Sequence, residues 1–169
     1  MSYRNKTYVA FASENIRNYY LMEAWRDNDK IDFDFYDAHD LFISLDTSKP
    51  ETIKTNLRQR MKNAKQIVLL GSPETRKKGG DGASFLAHEV KVAMEYDLPI
   101  VIAHLDQSRS GNSANVPQPL IAANYYTMGV SFQMKIIKYA LDNYVVGYIT
   151  NRLGGPKIYK SSVYKSLGL

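Results

Sequence analysis

Gln66-Ile67-Val68-Leu69-Leu70, running into Gly71-Ser72-Pro73, is a short apolar run ended by turn residues, as a strand buried on both faces would be. Pro99-Ile100-Val101-Ile102-Ala103 repeats the signature. Between them lie a polar, glycine-rich loop and a helix predicted over about Phe85 to Tyr96, with Ser84 as its N-cap. A strand, a helix and a second strand in so short a span require a parallel pair joined by a right-handed crossover. Glu89 sits in that helix one turn from Phe85 and one turn from Ala93, with Leu86 and Val92 beside it. A carboxylate on so apolar a face is either a solvated neighbour of that face or a partly desolvated acid at a site.

The flanking sequence extends the pattern. Lys6 to Phe11 is β-prone and reads as a central strand, followed by the turn Ala12-Ser13-Glu14-Asn15. A helix from about Ile16 to Arg26 follows, capped by Ser13 or Asn15, with Ile16, Tyr20 and Ala24 on one stripe. Phe33-Asp34-Phe35-Tyr36-Asp37 alternates weakly, predicting a second strand. Ala38 to Lys49 is irregular, and its Leu41, Phe42, Ile43 and Leu45 either tuck under the sheet or form a contact surface. Pro50 opens an amphipathic helix through Lys65 that carries Ile53, Leu57, Met61 and Ala64.

Asp106 to Asn115 is a loop by composition, and a short fifth strand is expected near Tyr125-Tyr126-Thr127. Ser131 caps a last helix with Phe132, Ile136, Ala140 and Tyr144 on one stripe. The reading is therefore a doubly wound α/β domain over 1–146, with a C-terminal tail over 147–169. Its simplest form is a five-stranded parallel, flavodoxin-like sheet in the order 2-1-3-4-5. The ligand crevice of such a sheet lies at the carboxyl ends of strands 1 and 3, where the loops Ala12–Asn15, Asp37 onward and Ser72–Ser84 converge.

Composition narrows the function classes. A chain of 169 residues, 44% hydrophobic and 23% charged, has the make-up of one ordinary globular domain. The net charge of +5 suits a phosphate-bearing ligand, yet no dense Lys/Arg run supports dedicated nucleic-acid binding. There is no cysteine, which excludes thiolate chemistry and disulfides. No apolar run approaches the ~20 residues needed to cross a bilayer. Met1 to Asn5 is polar and leads straight into a strand, so a cytoplasmic protein without membrane partners is expected.

Several chemistries fail on their residues. A phospho-acceptor would need an aspartate where the third strand ends in Leu70-Gly71-Ser72. No P-loop or Gly-x-Ser-x-Gly elbow is present, and Gly80-Asp81-Gly82 follows the wrong strand for a dinucleotide fingerprint. His39, His88 and His104 lack metal-ligand spacing, so no metal is expected; His104, ending a buried strand, reads as a satisfied structural histidine.

Three segments resemble a Toll/interleukin-1 receptor (TIR) domain, in the TIR-like branch that includes the TIR-like subunit of the Thoeris anti-phage system. Val9-Ala10-Phe11-Ala12-Ser13-Glu14-Asn15 stands where TIR domains have a strand running into Ser-aromatic-Ser-x-x-Asp. Ser84-Phe85-Leu86-Ala87-His88-Glu89 is similar to Ser-Trp-x-x-x-Glu, and Leu98-Pro99-Ile100-Val101 to the entry of the fourth strand. The similarity spans about Lys6 to Tyr144. Ala10, Asn15 and Phe85 depart from the family's serine, aspartate and tryptophan, so an aromatic is kept at position 85 and an acid is lost at position 15.

The resemblance implies cleavage of the nicotinamide–ribose bond of NAD, with Glu89 as the catalytic carboxylate and, in some members, a cyclic ADP-ribose isomer as the signal. It implies substrate contacts from Phe11, Ala12, Ser13, Asp37, Ser72 and Phe85, with NAD as substrate and no resident cofactor. Arg76-Lys77-Lys78 is either a pyrophosphate contact or a solvated loop. The implied partners are other copies of the domain, met through Ala38 to Lys49, and a downstream effector reading the nucleotide. Two other functions stay open: a TIR-like signalling scaffold without turnover, and a nucleoside or nucleotide transferase that also sets a carboxylate at the ribose.

Overall fold

Five strands pair in parallel in the order of the chain: β1 (Thr7–Ala10), β2 (Gln66–Gly71), β3 (Ile100–His104), β4 (Thr127–Ser131) and β5 (Pro156–Ile158). They belong to a computed structural model that describes residues 6–35, 50–150 and 155–169. Val9 faces Val68, Val68 faces Val101 and Val101 faces Met128, so one row of side chains crosses four strands. Both faces of the sheet are covered, which is why β2 and β3 are apolar without alternation.

On one face, α2 (Pro50–Lys62) and α4 (Phe85–Glu95) bury Ile53, Leu57, Met61, Leu86, Val90 and Ala93 against Tyr8, Leu69 and Ile102. Two shorter helices join that side, α3 (Pro73–Gly79) and α5 (Gln118–Ala122). On the other face, α1 (Ile16–Asp27) and α6 (Met134–Thr150) pack Tyr19, Met22, Ile136, Ala140 and Tyr144 over Val9, Val68 and Val101. Among the described residues no helix is long and apolar enough to cross a membrane.

The doubly wound α/β class holds, and four expected strands keep their relative order. Phe33 to Phe35 is extended and pairs with no strand among the described residues, so the sheet lacks the strand expected there and its order differs slightly from 2-1-3-4-5. The alternation has another cause: Phe33 and Phe35 bury their rings edge-on to Trp25 and Tyr19, with centroids 5.7 and 5.8 Å apart. Period-2 burial needs only one buried side, not a neighbouring strand. Tyr36, Asp37 and the Ala38–Lys49 segment lie outside the described residues. α1 buries Tyr19 and Met22 and leaves Tyr20 exposed, so its stripe is one residue out of step with the expected one. The strand expected near Tyr125–Thr127 begins only at Thr127; the Tyr125 amide still bonds back to the Leu120 carbonyl at 3.0 Å, and its side chain donates to the Leu98 carbonyl at 2.8 Å.

The C-terminal residues complete the sheet. β5 pairs with β4, and a final helix, α7 (Ser161–Ser166), places Tyr164 fully inside the α1/α6 core. The Tyr164 hydroxyl accepts from the Ser131 amide at 3.2 Å, and the Arg109 guanidinium lies 4.5 Å over its ring. Tyr164→Ala is therefore expected to cost about 3–5 kcal/mol, read as a lowered midpoint in urea denaturation.

Candidate active site

The first polar event after β1 is a tight turn. Its Asn15 side chain accepts from Ser72 Oγ at 2.7 Å, tying that turn to the end of β2. Ser72 also accepts from the Thr75 amide at 3.1 Å as the N-cap of α3, with Pro73 at the first helical position and Glu74 in the first turn. These start signals stand in Ser72-Pro73-Glu74, so part of the expected loop is a helix. Losing the Ser72 hydroxyl removes both contacts. Ser72→Ala is expected to lower stability by about 1–2 kcal/mol in the same denaturation assay.

α4 starts on a second capping serine. Ser84 Oγ accepts from the Ala87 amide at 3.1 Å and donates to the Lys78 carbonyl at 2.7 Å. The cap fixes where the helix begins, and so places Glu89 little more than one turn inside it. A cleft of about 330 Å³ opens between the β1 turn, α2 and the start of α4. Phe11, Ala12, Ser13, Phe85 and Glu89 line it together. Ser72 is not among the residues lining it and bonds Asn15 and Thr75 instead, and Asp37 lies outside the described residues.

Glu89 is only 3% exposed, on a helix face of apolar neighbours. Its Oε2 accepts a short hydrogen bond from the Tyr8 hydroxyl, itself buried. Its Oε1 has no partner among the described residues. Among the described residues, the one buried side-chain oxygen or nitrogen without a partner is Gln66 Oε1, so Glu89 Oε1 reaches the open space of the cleft. Among the described residues no cation pairs with the carboxyl. Burial raises its pKa to about 8, against the opposing effect of the Tyr8 hydrogen bond. Burial likewise pushes the Tyr8 hydroxyl well above its ordinary value, with the Glu89 charge adding to the shift.

The floor and the mouth differ in character. Phe11 stacks on Tyr19, with ring centroids 4.6 Å apart, so it is held from behind while lining the cleft. Lys54 and Lys78 bring positive charge to the mouth. Lys78 forms an exposed ion pair with Glu14 and donates to Ser13 Oγ at 3.0 Å, bridging α3 to the β1 turn. Such pairs are weak and readily exchanged for an anionic ligand. Arg76 is differently engaged: its guanidinium donates to the Ser113 carbonyl at 2.6 Å and to Gln118 Oε1 at 3.1 Å.

Sequence reading missed Tyr8 and Lys54. Tyr8 has a signal in hindsight, since a phenol in a buried strand needs a polar partner. Lys54 follows Ile53 on an amphipathic helix whose spacing marks only its apolar stripe, and tertiary packing is what turns it to the cleft mouth. Among the described residues, no group of three or more His, Asp or Glu side chains is placed to hold a metal ion.

The family model described as Thoeris protein ThsB, TIR-like domain, matches residues 8–110. That span includes every residue lining the cleft, from Phe11 to Glu89, and begins at Tyr8. No curated protein matches the chain.

Proposed function

The chain belongs to the TIR-like domain family of the Thoeris protein ThsB, and on that premise we propose that it cleaves the nicotinamide–ribose bond of NAD and signals in anti-phage defence. One observation carries the reading: a buried carboxyl with no cation beside it among the described residues and an oxygen open to a cleft that also holds two phenylalanine rings. That combination is costly to fold and suits a cationic sugar.

In the proposed reaction the bond between ribose C1′ and the pyridinium nitrogen breaks, and its electron pair leaves with neutral nicotinamide. Positive charge then develops on the ribose, where the ionised Glu89 carboxylate stabilises it electrostatically and engages the ribose hydroxyls. The low-dielectric surroundings that raise the pKa of Glu89 also strengthen that attraction. Phe11 and Phe85 hold the flat nicotinamide ring, and Lys54 and Lys78 meet the diphosphate at the mouth. Attack on C1′ by water gives ADP-ribose and a proton. Attack by a nitrogen of the substrate's own adenine gives a cyclic isomer and a proton. Either product is a nucleotide that a downstream effector can read.

A non-catalytic scaffold is the second reading, favoured by the exposed apolar side chains of Tyr20 and Leu21 on α1, a surface suited to self-association. Incubating the purified protein with NAD separates the two. Release of nicotinamide above an enzyme-free control supports the enzyme; silence at high protein concentration supports the scaffold. Release of free base from nucleosides, with NAD untouched, identifies a transferase instead.

A further inference from the structure

A second cavity, of about 510 Å³, lies over β3, β4 and β5, bordered by α5 and the loop after β3. It shares no lining residue with the Glu89 cleft. At its base is His104, 1% exposed. The Asn115 amide nitrogen donates to Asp106 Oδ2 at 3.0 Å and lies 3.2 Å from His104 Nδ1. An amide nitrogen held by a carboxylate is a donor, so Nδ1 accepts and the ring proton sits on Nε2. Asp106 is held in turn by the Asn112 side chain at 2.9 Å. Burial keeps the imidazole pKa below its usual value, against the pull of Asp106, which favours the neutral ring.

Among the described residues Nε2 has no hydrogen-bond partner, and it is not among the enclosed atoms that lack one. Its proton therefore faces the cavity. Gly129 in β4 leaves the room: a Cβ there would stand 3.3 Å from His104 Nε2 and 3.7 Å from the Ile158 side chain. No unusual backbone angle requires this glycine. Glycine weakens a strand interior and marks places where something must come close. The walls are apolar, with Ile102, Leu120 and two exposed isoleucines, Ile121 at 39% and Ile158 at 49%. The rim carries Ser110, Asn124 and Lys157.

We propose that this cavity is a second ligand site, taking a nucleoside or its 5′-monophosphate with the base accepting a hydrogen bond from His104 Nε2. The volume falls in the range of small-molecule pockets. A flat ring fits between isoleucine side chains and the bare backbone of Gly129. A ring nitrogen or carbonyl satisfies the lone donor, sugar hydroxyls meet the polar rim, and a phosphate meets Lys157. A purely apolar ligand would leave the buried N–H unsatisfied.

The test uses the full chain with ¹⁵N-labelled histidine, titrated with adenosine and, separately, with AMP to about 10 mM, the upper end of useful weak binding. The expected result is a saturable shift of the His104 Nε2 resonance with at least one of them. AMP binding more tightly would assign the phosphate to Lys157, and equal affinities would leave the base and sugar carrying the contact. Gly129→Ala, which fills the slot, and Ile158→Asp, at an exposed wall position, should each weaken binding by about tenfold or more. Glu89→Gln should leave it unchanged. Absence of a saturable shift with both probes overturns the proposal. So does a shift that survives both cavity variants, or one that disappears in Glu89→Gln.

Discussion

Glu89→Gln is expected to lower kcat for nicotinamide release by about a thousandfold or more while the fold stays intact. Glutamine has the shape of the neutral carboxyl and keeps an oxygen to accept from Tyr8, so the packing around position 89 is retained. What it cannot do is carry the negative charge that the developing ribose cation requires. KM should move far less, because Phe11, Phe85 and the two lysines at the mouth are untouched. The check is product formation followed by chromatography, with a thermal melt of each variant alongside. Glu89→Ala should be equally inactive, but it also leaves the buried Tyr8 hydroxyl without its acceptor and is the poorer probe. Full activity in Glu89→Gln would assign the chemistry elsewhere.

The second large effect is on pH. With its pKa raised to about 8, Glu89 in the ligand-free protein is protonated over most of the neutral range. At pH 7 only about a tenth of it is ionised. If the ionised form reacts, kcat/KM rises about tenfold from pH 7 to a plateau above pH 8, with an inflection near 8. The inflection in kcat should fall lower, because the pyridinium of bound NAD favours the carboxylate.

Stability should run the opposite way. The folded protein holds the Glu89 proton between the ordinary glutamate value of 4.5 and about 8, where the unfolded chain has lost it. The native state then binds more protons, so this group's contribution to stability is fully present below 4.5 and falls as pH rises to about 8. Glu89→Gln has no such proton to lose. The variant should match the parent near pH 4 and exceed it by a few kcal/mol at pH 8.5, raising Tm by roughly 5–10 °C. A gain in stability coupled to a loss of activity at one residue identifies a site maintained against folding.

How far the sequence leads depends on how local the signal is. The β2–α4–β3 unit is legible because its strands are continuous apolar runs and Ser84 caps its helix, and both are one-dimensional patterns. α2 and α6 are legible because their apolar stripes hold one period, through Met61 in α2 and through Tyr144 in α6. The Phe33–Phe35 segment misleads because alternation reports one-sided burial, which Trp25 and Tyr19 supply without a strand partner. β5 is hidden because three exposed residues, Pro156-Lys157-Ile158, carry no apolar pattern. At the cleft, Glu89, Phe11, Ser13 and Phe85 lie together, four residues that the resemblance to TIR motifs singles out. The Tyr8 contact joins residues 81 positions apart, and the pairing of Lys78 with Glu14 spans 64; neither leaves a trace in local spacing.

His104 shows the same limit. From sequence it is a polar residue ending a strand, satisfied by whatever surrounds it. The structure satisfies one nitrogen through Asn115 and Asp106 and leaves the other facing open space.

The most direct measurement is the titration of the Glu89 side-chain carboxyl by ¹³C NMR, with and without a carbocyclic NAD analogue that cannot lose nicotinamide. The account predicts a midpoint near 8 in the free protein and a clear downward displacement once the analogue's pyridinium is seated beside it. A midpoint at the ordinary glutamate value, or one indifferent to the analogue, would contradict it.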